Sequence, residues 1–175
     1  MALITLEPTK TQIKLAKEQA EEMGELRNSI TKGDGNVIGF LGEIVVCDWL
    51  GLKQGNTYDY DFTLPNGKTV DVKTKRCRSI PKPDYDCSVS AFNTRQKCDY
   101  YLFNRIHTDL SKLWVLGYVE KQTYFNNAIK HWAGQTDLNG FTYKSDCYNM
   151  PIKKLKNPID LEVLCETHAQ TDTSF

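Results

Sequence analysis

The chain has 175 residues, and its 22 lysines and arginines balance 22 aspartates and glutamates, so the formal net charge is zero. A balanced charge produces no strong uniform field, which argues against a large protein that binds nucleic acid without specificity. No apolar run is long enough for a membrane span, and the N-terminus lacks the pattern of a signal peptide. We therefore expect a cytoplasmic protein with no membrane partner.

The first predicted element is an amphipathic helix over residues 9–28. Its apolar residues recur at helical spacing and form one stripe, made of Ile13, Ala16, Ala20, Met23 and Leu26. Such a stripe usually packs on the core, although it could also serve as a contact in a homodimer. A loop rich in glycine and polar residues follows at 31–36.

A second helix is predicted between Asn36, a suitable N-cap, and Gly51, a suitable stop. The segment is almost wholly apolar, so it should be buried, and its one mid-helix charge is Glu43. A buried carboxylate is costly unless a partner or a metal compensates it. Gly39 and Gly42 weaken the helix, which suggests that it packs closely on another element.

Residues 58–75 alternate apolar and charged side chains on both sides of a Pro-Asn-Gly turn at 65–67. This alternation predicts two strands, and the turn residues favour a hairpin. Because side chains alternate between faces, Asp71 and Lys73 share one face. In a hairpin of this length Asp61 lies opposite Asp71 on the same face.

The polar face of this hairpin has two interpretations. It could be a solvated surface on which Lys73 neutralises the acids, since surface ion pairs are common and contribute little. Alternatively it is a site, and the second helix favours this interpretation because it would direct Glu43 at Asp61 and Asp71.

The order of these residues resembles the PD-(D/E)XK nuclease superfamily over about residues 36–120. The family pattern is a helix glutamate, a strand aspartate and then Asp/Glu-x-Lys, matched here by Glu43, Asp61 and Asp71-Val72-Lys73. Tyr60 stands where the motif has its proline. Asp59 is a rival for the strand aspartate, and we prefer Asp61 because it lies closer to the turn.

The resemblance implies an α/β protein with a restriction-endonuclease-like core, in which helices flank a mixed β-sheet. It implies Mg²⁺ or Mn²⁺ bound by Asp61 and Asp71, with Glu43 and the Val72 carbonyl completing the shell, while Lys73 orients the attacking water. No organic cofactor is expected. The metal would polarise a scissile phosphate, and crowding of the acids should raise at least one carboxylate pKa.

The expected activity is hydrolysis of phosphodiester bonds in DNA by an endonuclease, and the family includes resolvases, restriction enzymes, homing enzymes and repair nickases. A phage-encoded enzyme acting in its host cell is one expected setting. Two alternatives stay open: a catalytically silent nucleic-acid-binding module of the same fold, and an RNase that uses the same site.

The most basic part of the chain follows Lys73 directly and contains Lys75, Arg76, Arg78 and Lys82. It could be a solvated strand end, or a ridge whose cations grip the phosphates of DNA. Prolines 81 and 83 then break the strand, and Asp84 and Asp86 are expected to be solvated turn residues.

A short strand at 87–91 leads to a helical or turn segment at 93–100. Gln96 and Tyr100 have the Gln-x-x-x-Tyr spacing that is found in the RecB-like branch of the superfamily. The resemblance implies that Gln96 or Arg95 lies at the edge of the site and touches a phosphate.

The apolar segments 100–107 and 113–119 are predicted to be central strands covered on both faces. A helix over 121–132 should direct Phe125, Ile129 and Trp132 inward, and the chain to Pro151 looks rich in loops. Lysines 153, 154 and 156 form a second basic patch. We expect residues 1–165 to form a single domain and 166–175 a mobile polar tail.

Cysteine and histidine are the remaining residue types with metal or redox chemistry. The six cysteines, at 47, 77, 87, 98, 147 and 165, contain no Cys-x-x-Cys pair and are expected to be reduced, buried thiols. Histidines 107, 131 and 168 lack metal-ligand spacing and are interpreted as ordinary residues.

Overall fold

The computed structural model describes residues 1–24, 34–55 and 57–172 and has an α/β architecture. Within these residues the helices are α1 Lys10–Met23, α2 Asp34–Leu50, α3 Lys121–Asn127 and α4 Ile159–Asp172. The strands are β1 Ile4–Leu6, β2 Phe62–Thr63, β3 Thr69–Cys77, β4 Asp86–Ser90, β5 Tyr100–His107, β6 Leu113–Glu120, β7 Ile129–His131 and β8 Cys147–Pro151. Short 3₁₀ helices occupy Ala91–Arg95 and Ile152–Lys154.

Five strands form the large sheet in the order β1-β6-β5-β3-β2. Strands β3 and β5 run parallel and the other pairs are antiparallel, so the mixed sheet predicted from the sequence is confirmed. Strands β5 and β6 are buried along most of their length, as predicted, because both faces of the sheet are covered. A second sheet contains three strands in the order β4-β8-β7.

The two faces of β3 and β5 belong to different apolar layers. On one face, Val70 and Leu102 pack in a cluster that includes Leu41 of α2. On the other face, Phe103 packs in a cluster that includes Tyr124 of α3. Burial of both layers is the main stabilising contribution to this architecture.

Helix α1 is shorter than the predicted 9–28. It begins after Thr9, whose side chain accepts a hydrogen bond from the Gln12 amide in a capping box, and Gly24 with φ of 70° ends it. Of the predicted stripe, Ala16 is buried, whereas Met23 is 50 % exposed. The predicted position of Leu26 lies outside the described residues.

Helix α2 starts earlier than predicted. Asn36 lies inside the helix, which begins at Asp34, and does not cap it. Residues 33–36 are all glycine, aspartate or asparagine, so the pattern alone could not choose the first residue. The predicted stop is confirmed: Gly51 has φ of 68°, and the Leu52 amide donates to the Cys47 carbonyl at 2.8 Å.

The glycines of α2 differ in what they contact. A Cβ on Gly42 would lie 1.8 Å from Thr74 Oγ1, so α2 approaches β3 closely at this residue, as expected. A Cβ on Gly39 would have nothing within 4 Å, so the expectation of close packing there was wrong.

The central hairpin has the predicted register but a shorter first strand. Phe62 pairs with Val70, which places Asp61 opposite Asp71. The turn follows the predicted residues, with Gly67 at φ of 83°. Residues 58–61 leave the strand because the Thr57 hydroxyl bonds both the amide and the carbonyl of Tyr60.

The predicted helix over 121–132 was wrong in its second half. Helix α3 ends at Asn127, and the backbone is extended from Ala128 onward because the next residues pair with β8. Ile129 and Trp132 are therefore 66 % and 57 % exposed rather than directed inward. The segment to Pro151 contains β8, which the sequence analysis missed.

The C-terminal segment also differs from its prediction. Residues 166–171 are exposed, as a polar tail would be, but they belong to helix α4, which ends at Asp172. All six cysteines are free thiols. None of the helices in the described part of the chain combines the length and the apolar composition needed to cross a membrane.

Candidate active site

The predicted acids meet at the open edge of the large sheet, where β2 ends. The Asp61 amide donates to the Val70 carbonyl at 2.9 Å, and the Val72 amide donates to Asp61 Oδ2 at 2.6 Å. Beyond β2, the Asp61 carboxylate therefore accepts the hydrogen bond that a longer strand would have accepted through its backbone. The short strand thus places a carboxylate beside β3.

Asp71 and Lys73 lie on one face of β3, as the alternation predicted. Lys73 Nζ is 2.5 Å from Asp71 Oδ2, and Asp71 is only 3 % exposed. Gln96 joins both residues, because its Nε2 donates to Asp71 Oδ1 at 3.2 Å and its Oε1 accepts from Lys73 Nζ at 3.2 Å. The lysine is therefore held by a buried carboxylate and a buried amide.

Helix α2 brings Glu43 to this edge. The close contact of Gly42 with Thr74 sets the helix against β3 one residue before Glu43. Gln54 donates to Glu43 Oε2 at 3.2 Å, and Gln19 of α1 donates in turn to Gln54 at 3.0 Å. A chain of amides from α1 thus orients the carboxylate.

The electrostatics of the cluster favour protonated carboxyls or a bound cation. Burial, with repulsion from Asp61, raises the pKa of Glu43 to about 8. Burial and the charge of Asp71 raise the pKa of Asp61 to about 7. Burial also raises the pKa of Asp71, although Lys73 opposes this change. The prediction that at least one carboxylate pKa is raised is confirmed.

The donor set fits a hard divalent cation. Carboxylate oxygens suit Mg²⁺ or Mn²⁺, and Mg²⁺ commonly uses only one or two carboxylates besides water and substrate. Asp71 Oδ2 is buried and, apart from its ion pair with Lys73, accepts no hydrogen bond within the described residues. In the same part of the chain, no three acidic, histidine or cysteine side chains surround a common point. A metal here would therefore take much of its shell from water or substrate.

The structure separates Asp61 from its rival. Asp59 is half-buried, and its carboxylate accepts a hydrogen bond from the Lys97 amide at 3.0 Å, whereas that of Asp61 accepts from the Val72 amide of β3. Val72, whose carbonyl the resemblance adds to the metal shell, lies between Asp71 and Lys73 and is bound to Asp61 through its amide. Asp61 is therefore the strand acid that joins the cluster.

The predicted phosphate-binding residues do not form one ridge. Lys75 shares the face of Lys73, whereas Arg76 lies on the opposite face of β3. Arg78 and Lys82 are exposed beyond the end of the strand, and Arg95 is exposed at the end of its 3₁₀ helix.

The Gln-x-x-x-Tyr pair is divided in the same way. Gln96 lies within the cluster, but Tyr100 begins β5 on the other face, with its ring against Tyr118 at 5.5 Å. The second basic patch is partly neutralised, because Lys153 pairs with Asp84 at 2.6 Å and Lys156 pairs with Glu120.

Two residues of the site were missed by sequence reasoning. Lys121 donates to the Gln96 carbonyl, and its charge, like that of Lys73, opposes the burial that raises the pKa of Asp71. Gln54 supports Glu43. Neither belongs to a local pattern, since each reaches the cluster only through the packing of distant segments.

The chain matches no family model, and comparison with curated proteins found no match.

Proposed function

We propose that the protein is a metal-dependent nuclease of the PD-(D/E)XK type that hydrolyses phosphodiester bonds in DNA as an endonuclease. The observation that carries this proposal is the convergence of Glu43, Asp61 and Asp71 with Lys73 at one open sheet edge. Perturbed titratable groups that share one site are typical of functional positions.

Asp61, Asp71 and the Val72 carbonyl would hold Mg²⁺ or Mn²⁺, and Glu43 would complete the shell through water. When bound, the ion supplies the Lewis acid for attack at a phosphate. The raised carboxylate pKa values support this assignment, because a divalent cation would offset the burial of three acids that Lys73 alone offsets only in part.

Lys73 is suited to stabilise charge that develops during the reaction. Its ammonium is held by Asp71 and Gln96, so it needs little reorganisation when negative charge builds on the phosphate. The same group can orient the attacking water through its remaining N–H. Its side chain is only 19 % exposed, so the charge acts in a partly dry environment.

A solvated polar face explains this arrangement poorly. A surface ion pair leaves its groups in water, whereas Asp71 is buried and the other two acids are half-buried with raised pKa values. Burying these carboxylates together lowers the stability of the fold. A module that only binds nucleic acid has no use for such a destabilising cluster.

The test is cleavage of supercoiled plasmid DNA, branched DNA and RNA in Mg²⁺, Mn²⁺ or EDTA. We expect metal-dependent cleavage of DNA that Lys73→Ala slows at least about 100-fold, the scale on which one transition-state-stabilising group acts. Lys154→Ala is the control, because Lys154 is exposed and lies outside the cluster. Cleavage of RNA alone would indicate the RNase, and binding without cleavage the silent module.

A further inference from the structure

A cleft leads away from the carboxylate cluster between the two sheets. It consists of two adjoining cavities of about 320 Å³ and 510 Å³ that share Lys75, Asp86, Ser88 and Arg105 in their walls. The first cavity reaches Lys73. The second extends to the loop before β8 and is lined there by aromatic and polar residues, among them Phe141, Tyr143, Asn139 and Lys144. The cleft thus connects the candidate active site with a distant aromatic surface.

Two cations lie side by side in the middle of this cleft. Lys75 and Arg105 are register partners on the parallel strands β3 and β5, so their side chains emerge on the same face. Arg105 is only 9 % exposed, and its guanidinium donates to the Asp86 carbonyl at 2.6 Å. Within the described residues, neither cation forms an ion pair, although the Asp86 carboxylate is near enough to influence both.

No ion pair within the described residues offsets the charges of Lys75 and Arg105. A buried cation is costly without a compensating charge, and two neighbouring cations repel each other. Arg105 is the buried member of the pair, and burial lowers its pKa, whereas Lys75 is exposed at its residue as a whole but partly desolvated in the cleft, which together with repulsion from Arg105 lowers its pKa. Both groups present N–H donors to the cleft, which is the chemistry that binds phosphate.

The position of the pair suits a phosphate next to the scissile one. Lys73 and Lys75 lie on one face two residues apart, which separates their Cα atoms by about 6.6 Å at about 3.3 Å per residue. Successive phosphates of one strand have a comparable separation. A strand whose scissile phosphate lies at Lys73 would therefore place its neighbour at Lys75 and Arg105.

The shape and lining of the cleft favour a single strand over a duplex. Arg105 lies between two sheets, where a paired backbone cannot follow without opening. The net charge of zero provides no broad field for a duplex. Phe141 is 54 % exposed and meets Tyr143 edge-on at 5.3 Å, so its ring is free to stack on a base.

We propose that this cleft binds the single-stranded segment that flanks the scissile phosphate, with Lys75 and Arg105 on its backbone and Phe141 against a base. The preferred substrates are then single-stranded tails, flaps or gaps rather than uninterrupted duplex. This inference rests on the proposed nuclease function for the identity of the neighbouring site, but the binding can be measured without cleavage.

The experiment is fluorescence anisotropy of a labelled oligothymidylate and of a blunt hairpin duplex in EDTA, where no metal-dependent cleavage occurs. Wild-type protein should bind the single strand roughly tenfold more tightly than the duplex. Lys75→Gln should weaken single-strand binding about tenfold and reduce the slope of log K against log salt by about 0.7. Phe141→Ala should weaken it about fivefold or more. Lys154→Gln removes the same charge outside the cleft and should bind like the wild type.

Equal affinity for the blunt duplex, absent binding of the oligothymidylate, or equal effects of Lys75→Gln and Lys154→Gln would overturn the inference. Lys75 is exposed, so Lys75→Gln should fold normally, and thermal melting of each variant checks this. Metal-dependent cleavage, assayed separately, keeps the two proposals distinct. If the protein cleaves DNA but does not prefer single strands, only the proposal for the cleft is rejected. If it binds single strands selectively but does not cleave DNA, the proposal for the cleft is supported and the nuclease proposal is rejected.

Discussion

Gln96 is the residue that links the acid and the base of the cluster. It donates to Asp71, accepts from Lys73, and donates also to the Tyr58 carbonyl at 2.9 Å. It is 7 % exposed and is positioned by the segment between β4 and β5. We therefore assign it a positioning role, in which it keeps the lysine ammonium directed at the substrate side of the sheet edge.

Gln96→Ala should lower kcat about 10- to 100-fold, the usual cost of losing a residue that orients a ligand of a metal site. The KM for DNA should change little, because Gln96 holds Lys73 rather than the bulk of the substrate. Steady-state cleavage kinetics measure both constants. A variant with unchanged kcat and a raised KM would instead make Gln96 a substrate-binding residue.

Glu43 gives the protein a pH-dependent stability in the absence of metal. Its pKa is raised from 4.5 to about 8, first by burial and then by the charge of Asp61. The fold therefore favours the protonated carboxyl, so its contribution to stability is full below pH 4.5 and is lost as the pH rises through about 8.

In EDTA, Glu43→Gln should gain thermal stability relative to the wild type as the pH rises from 5 towards 9. A difference of about 1 kcal/mol corresponds to roughly 2–4 °C in the melting temperature of a chain of this length. Thermal denaturation of both proteins across this pH range measures the difference. Glu22→Gln, on the exposed face of α1, is the control, and parallel curves for wild type and Glu43→Gln would contradict the assignment.

At the scale of elements, the contact between α2 and β3 positions Glu43 at the carboxylate cluster. Gly42 lies so close to Thr74 that any side chain would displace the helix, and Glu43 is the next residue. Packing of the helix and placement of the carboxylate are therefore coupled in one turn of α2.

Gly42→Ala should destabilise the protein by about 1–3 kcal/mol, the usual cost of overpacking. Gly39→Ala, in the same helix but with open space at its Cβ, should stabilise it by up to about 1 kcal/mol through helix propensity. Urea denaturation measures both changes. Equal effects of the two substitutions would show that helix propensity, rather than the contact with Thr74, determines the change in the free energy of unfolding.

Elements with a strong local pattern were the ones predicted correctly. The turn at 65–67, the stop at Gly51 and the opposition of Asp61 and Asp71 all follow from spacing and turn chemistry. The end of α3 at Asn127 could not be predicted, because the apolar residues of 121–132 recur at a spacing that also suits a longer helix. Only the pairing of residues 129–131 with β8 determines that the helix ends there.

The supporting residues of the site were beyond sequence reasoning for a similar reason. Gln54 and Lys121 reach the site, and Arg105 reaches the cleft, through packing that no local sequence pattern records. Asp61, Asp71 and Lys73 were predicted because they alternate with apolar residues on both sides of a turn, and Glu43 because it is the one mid-helix charge of an apolar segment. The order of the strands in the two sheets has no such signal.

At the scale of the whole molecule, the candidate site lies at one edge of the large sheet. One apolar layer carries α2 and Glu43, the opposite layer carries the small sheet, and the carboxylates lie where the short β2 leaves β3 open. The cleft continues from this edge between the layers. Charged side chains cluster at this edge, although the molecule is neutral overall. Such a local cluster suits contacts with a short segment of a nucleic-acid strand.

The most direct test compares Asp61→Asn with Asp59→Asn in metal-dependent DNA cleavage. The two aspartates lie two residues apart, but the Asp61 carboxylate accepts from the Val72 amide within the cluster, whereas that of Asp59 accepts from the Lys97 amide. We predict that Asp61→Asn loses at least about 100-fold in rate, while Asp59→Asn retains activity close to that of the wild type. Full activity of Asp61→Asn, or an equal loss in both variants, would contradict the assignment of this cluster as the active site.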